Sequence, residues 1–208
     1  MIRLPRRRVL GIAIGGLLLP TIARAQDVSA AARPIQLLYN ALEQLMKQGQ
    51  SVSFPQRFDT LAPVVDQVYD LETALRVSVG ARWATLDDTA RQSLFRAFRS
   101  FTIATYVANF NSYNGQTFEI LPNPRVAGPD VIVATHITSG SGDPTRIDYV
   151  MRDTKGWRIV DVLLDGTISR VAVQRSDFRS LLGSGDAQAL IGSLERKTSD
   201  LSGGTLHS

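Results

Sequence analysis

The chain has 208 residues, 44% of them apolar and 20% charged, a balance that suits one large globular domain or two small ones and excludes a disordered chain. It has no cysteine and only two histidines, which rules out a disulfide scaffold, a thiolate zinc site, an iron–sulfur cluster and a cysteine nucleophile. The net charge of +4 and pI near 9.8 point to nucleic acid only until the charges are located. Arg3, Arg6, Arg7, Arg8 and Arg24 fall in residues 1–25 with no acid, so residues 26–208 carry 18 basic against 19 acidic side chains, a formal charge of −1, and no nucleic-acid partner is expected.

The basic end leads into an apolar run at 9–19, then Pro20 and Ala23-Arg24-Ala25, a small-x-small cleavage site ahead of Gln26. A run of 11 residues with three glycines is too short to cross ~30 Å of hydrocarbon at ~1.5 Å per residue, so residues 1–25 read as a cleaved signal peptide. Arg6-Arg7-Arg8-Val9-Leu10, in a leader moderated by Gly15, Gly16 and Arg24, is similar to a twin-arginine signal, with an ordinary Sec leader as the alternative. Both routes end outside the cytoplasm, and no later segment is long and apolar enough to span a bilayer, so the expected location is the periplasm.

Residues 29–48 place Ile35, Leu38, Leu42, Leu45 and Met46 at helical spacing, with Pro34 in a tolerant first turn and Gly49 as the stop. Two shorter helical patterns follow in 54–79, Phe58/Leu61/Val65/Val68 and Leu71/Leu75/Val79, closed by Gly80. A long helix is predicted from Thr85, with Asp88 at capping-box spacing, to about Tyr113. After Gly115 the period changes from 3.6 to 2, giving four strands at 117–121, 131–138, 146–152 and 157–164 whose short connections favour an antiparallel meander. The helical period returns from Ile168, and again after Gly185. The prediction is one α+β domain over residues 26–198, with helices on one face of a curved antiparallel sheet of about four strands, a cone like that of NTF2 with an added helical subdomain, and a flexible tail at 199–208.

No Walker loop, HExxH, GxSxG, dinucleotide fingerprint or calcium loop is present, and neither a catalytic group nor a metal or cofactor is expected. His136 alternates with Val131, Val133 and Ile137 and reads as a half-exposed strand residue. Asp161 shares its phase with Trp157, Ile159 and Leu163, so it is either buried or turned outward by a bulge; buried, it needs a cation or N–H donors, and an ion pair with Arg175 is the expected structural solution. The last strand, apolar at 157, 159, 160 and 162–164, suits coverage on both faces, while Ile147, Tyr149 and Met151 alternate inward on its neighbour. Periodicity alone does not distinguish a filled core from a lined cavity.

The ordered set Trp83-Ala84-Thr85-Leu86, Phe95-Arg96-Ala97-Phe98, Tyr106-Val107-Ala108-Asn109-Phe110, Gly156-Trp157-Arg158-Ile159-Val160-Asp161-Val162 and Arg175-Ser176-Asp177-Phe178 resembles the MlaC-like (toluene-tolerance) family of periplasmic lipid-binding proteins. The phrases Leu164-Asp165-Gly166-Thr167-Ile168-Ser169 and Asn109-Phe110-Asn111-Ser112-Tyr113-Asn114-Gly115 are most similar to its hopanoid-associated branch, HpnM. Gly166-Thr167-Ile168-Ser169 and Gln174-Arg175 depart from the Gly-Val-Ser and Tyr-Arg usual in core members. The resemblance implies a non-enzymatic carrier that holds a phospholipid or hopanoid in an apolar pocket and exchanges it with an inner-membrane ABC-transporter complex and an outer-membrane complex. Strand and helix phase then put Phe98, Phe101, Tyr106, Phe110, Tyr149, Met151, Val160, Val162, Leu164 and Ile168 on the pocket wall. Two other readings stand beside it: an enzyme acting on a polycyclic lipid through Asp161, Tyr149 and His136, with Asp161 as general base, and an adaptor with an exposed apolar patch and no cavity.

Overall fold

The first helix among the described residues, α1 (Arg33–Gln48), buries Ile35, Leu38, Tyr39, Leu42, Leu45 and Met46 along one stripe and stops at Gly49, whose φ of 56° suits glycine. The structure, a computed structural model, describes residues 30–140, 142–183 and 186–206, so the signal peptide expected at 1–25 lies outside the described residues. Helix α2 (Phe54–Val68) opens on a capping box formed by Ser53 and Gln56. Helix α3 (Leu71–Val79) starts where the Asp70 carboxylate accepts from the Thr73 N–H at 2.9 Å and ends at Gly80.

The long helix α4 (Asp88–Asn109) differs from expectation at both ends. Thr85 belongs to a 3₁₀ turn (Gly80–Thr85), and Asp87 is the cap, its carboxylate accepting from the Ala90 N–H at 2.7 Å. The helix stops at Asn109, where Phe110 leaves helical geometry, and the Gln116 side chain holds the backbone beyond it, accepting from the Asn114 N–H at 2.6 Å and donating to the Ser112 carbonyl at 3.3 Å. Its apolar residues reach most of the way round, and it packs against α2, α3 and the C-terminal helix at once.

All four predicted strands are present, as β1 (Thr117–Ile120), β3 (Asp130–Thr138), β4 (Thr145–Asp153) and β5 (Trp157–Leu164). Two short strands are added, β2 (Arg125–Ala127) and β6 (Ile168–Ser169). The sheet is antiparallel and curved, with order β1-β3-β4-β5-β6; β2 shares with β1 the edge of β3. Strand β6 corrects the helical reading of Ile168: Ile168 pairs with Leu164 and Ser169 with Leu163, across a tight turn where Asp165 and Gly166 both take positive φ. Helix α5 (Arg170–Arg179) follows, its first turn capped by the Ser169 hydroxyl, which accepts from the Ala172 N–H at 3.0 Å.

The last helix, α6 (Gln188–Leu201), overruns the expected boundary at 198. Thr198 and Ser202 are buried, and hydrogen-bonded turns carry the chain from the helix end at Leu201 to Leu206. The helices cover the sheet face that carries Val131, Val133, Tyr149, Met151 and Ile159. The other face bears ion pairs, Asp130–Arg152 at 2.6 Å and Arg146–Asp148 at 2.9 Å. The result is one α+β domain of the predicted kind.

Candidate functional site

The register of β4 and β5 sets the site. Tyr149 pairs with Val162 and Val150 with Asp161, but Met151 pairs with Ile159, so Val160 is an extra residue and β5 bulges there. Side chains inward of the bulge (Trp157, Ile159) and beyond it (Val162, Leu164) thus share one face despite their odd and even numbers. The bulge, not coverage on both faces, explains the nearly continuous apolar run: Ile159 and Val160 are consecutive and both buried, while Arg158, Asp161 and Leu163 stay half-buried on the other side.

Between the C-terminal half of α4, the β4–β5 surface, the start of α3 and the start of α5 the protein leaves a half-open cavity of about 390 Å³. That volume falls in the ~300–1,000 Å³ range of small-molecule sites. Eight of the ten predicted wall residues line it: Phe98, Phe101 and Tyr106 from α4, Phe110 just past its end, Tyr149 from β4, and Val160, Val162 and Leu164 from β5. Met151 and Ile168 do not. Met151 is fully buried opposite Ile159, where the α2–α3 junction docks through a hydrogen bond from the Asp70 N–H to the Ile159 carbonyl at 2.9 Å and closes the space. Ile168, read as helical, lies in β6 and is 48% exposed.

Several wall residues escape a sequence reading. Thr102, Thr105 and Asn109 lie on the same stripe of α4 as Phe98, and Ile147 alternates with Tyr149, so these were within reach of periodicity. Tyr69 and Leu71 from the α2–α3 junction and Arg170, Val171 and Gln174 from α5 carry no sequence signal, because only helix docking brings them there.

The wall is mainly apolar surface interrupted by polar side chains. The Tyr69 and Tyr106 hydroxyls hydrogen-bond each other. Burial pushes both phenols up, Tyr106 to about 12 and Tyr69 well above its ordinary value, and Tyr149 likewise, so all three are neutral hydrogen-bonding groups near neutral pH. Asp161 is turned away from the strand's inner face by the bulge. Its Oδ1 accepts from the Val162 N–H at 2.7 Å and the Val171 N–H at 3.0 Å, and the Ser169 hydroxyl donates to Oδ2. The carboxylate therefore caps α5, where the positive end of the helix dipole favours it. The expected Asp161–Arg175 ion pair is absent among the described residues; the Arg175 guanidinium lies instead against Gly80. His136 stands on the opposite sheet face, its Nδ1 3.8 Å from a Glu119 carboxylate oxygen. The three residues of the enzyme reading thus do not converge: Asp161 and Tyr149 border the cavity, but the Asp161 carboxylate is held by two backbone N–H groups and the Ser169 hydroxyl, and the imidazole is across the sheet. The adaptor reading required that no cavity exist.

Comparison with known proteins agrees with this geometry. Residues 36–196 match the family model described as MlaC protein. Among solved structures, the chain is similar to a phospholipid-binding protein from Ralstonia solanacearum determined in complex with a phospholipid, with a TM-score of 0.70 and 18% identity over 82% of this chain and 98% of that one. At that identity the likeness is one of fold.

Proposed function

Because the chain belongs to the MlaC family, we propose that it is a periplasmic carrier that binds the acyl or polycyclic part of a phospholipid or hopanoid in the α4–sheet cavity and moves it between an inner-membrane ABC-transporter complex and an outer-membrane complex. The single observation that carries this reading is an apolar interior left unfilled and half open: aromatic and aliphatic side chains from three helices and three strands face a space that the protein's own groups do not occupy. Among the described residues no helix is long and apolar enough to cross a membrane. The fold's likeness to a structure that contains a phospholipid supports the same reading.

The energetics fit transfer rather than chemistry. Burying one tail of about 15 methylenes at ~0.8 kcal/mol each is worth roughly 12 kcal/mol against water, so a loaded carrier does not leak its cargo into the aqueous phase. Against a bilayer the same gain nearly vanishes, because the tail already lies in hydrocarbon, and loading and unloading then depend on docked membrane complexes. A formal charge of −1 over residues 26–208 gives little attraction to anionic bilayers between visits. The test is to purify the exported protein without detergent, extract it and identify bound lipid by mass spectrometry. Reproducible recovery of lipid near one per protein is expected; protein that is always lipid-free and takes up no lipid from vesicles would overturn the reading.

A further inference from the structure

Two residues that carry a charge border the cavity, Asp161 and Arg170. Asp161 is accounted for, since its oxygens hold the first turn of α5. Arg170 is not. It is the first residue of α5, the positive end of that helix, and it is half-buried in a wall made chiefly of apolar groups. Both placements disfavour a cation. Among the described residues it forms no ion pair, whereas Arg91, Arg99, Arg146 and Arg152 each hold a carboxylate. Other polar groups stand on the same wall. The Tyr69–Tyr106 hydroxyl pair has one proton left over, and the Gln174 amide lies 3.2 Å from the Ser78 hydroxyl, whose single proton goes to the Ala74 carbonyl at 2.8 Å.

We propose that Arg170 reads the head group of the cargo, and that the preferred ligand is an amphiphile whose head carries an anionic oxygen group, phosphate or carboxylate, seated on the Arg170 guanidinium with Gln174 and the Tyr69–Tyr106 pair beside it, while its hydrocarbon lies along Phe98, Phe101 and Val162. This rests on the carrier reading and narrows it: an uncharged polycyclic lipid fills the apolar wall but leaves the guanidinium unmatched. Arginine suits the task because its fork of donors meets phosphate and carboxylate in two parallel hydrogen bonds.

Displacement of a fluorescent fatty amphiphile from the full exported protein by dodecyl phosphate, laurate, dodecanol and inorganic phosphate tests this. Wild-type protein is expected to bind dodecyl phosphate and laurate at least about tenfold more tightly than dodecanol, and inorganic phosphate not at all, which separates a lipid head group from a free anion. In Arg170→Gln the preference for the charged heads should collapse to within about twofold, and Arg170→Lys should keep part of it. Equal wild-type affinity for dodecyl phosphate and dodecanol, or an unchanged preference in Arg170→Gln, overturns the proposal with the carrier reading intact. Binding of none of the amphiphiles overturns the carrier reading itself. If Arg170→Gln does not fold, the wild-type preference and its retention in Arg170→Lys decide the matter.

Discussion

Asp161 shows how one residue can be singled out correctly and assigned wrongly. An acid in an apolar strand needs a reason, and a general base or a partner for Arg175 are reasonable answers from the sequence. Its actual role is local: it accepts two backbone N–H groups and the Ser169 hydroxyl, and Ser169 in turn accepts from Ala172, so a short relay ties β5 to the start of α5. Replacing it with Asn keeps the size but substitutes N–H donors for an acceptor among groups that are themselves donors. Asp161→Asn is expected to lower stability by about 1–3 kcal/mol in urea unfolding. An unfolding midpoint equal to wild type would show that the relay contributes nothing.

At the level of elements, α4 lacks a basic residue in its last turn, and α2 supplies one. Arg57 is 5% exposed and donates to the Val107 carbonyl at 3.4 Å, while its guanidinium carbon lies 5.6 Å from the centre of the Phe54 ring and its Nε has no partner among the described residues. Burial pulls its pKa below the ordinary value, a sign that the desolvated charge is poorly compensated. One long hydrogen bond at a helix end offsets little of that cost, so packing of the stem is the larger contribution. Arg57→Met, which keeps the stem's bulk without the charge, is therefore expected to unfold within about 1 kcal/mol of wild type or to be more stable. Arg57→Ala, which leaves a cavity, should lose about 2 kcal/mol or more by the same measurement. Equal losses in both variants would mean that the charge at the end of α4 is what matters.

For the molecule as a whole, the decisive property is that the interior is incompletely filled. Most core substitutions to a larger side chain force neighbours apart and destabilise, but Val162 faces existing space across from Tyr149. Val162→Trp is expected to fold with a stability within about 1 kcal/mol of wild type and to take up lipid from vesicles at least about tenfold less well. A variant that folds and loads normally would mean that hydrocarbon is not held in this cavity.

Much of this was legible in the sequence because it depends on local periodicity. Helix and strand identities, the stops at Gly49 and Gly80, the alternation of Ile147, Tyr149 and Met151, and the aromatic stripe of α4 follow from spacings of 3.6 and 2 and from the few residues that tolerate positive φ. The misses have a common cause. Strands β2 and β6 are too short to show a period and exist only because β3 and β5 offer free edges. The bulge at Val160 shifts the phase of half a strand, which no alternation rule anticipates, and it decides where Asp161 and Val162 point.

By itself the sequence determined an α+β domain, the strands that build the sheet and most of the apolar wall, since burying periodic side chains leaves few ways to arrange them. Only the tertiary structure decided that the wall encloses empty space, that Asp161 caps a helix and that Arg170 joins the cavity. Those outcomes depend on how far apart elements distant in the chain come to rest, and an unfilled volume belongs to no single segment.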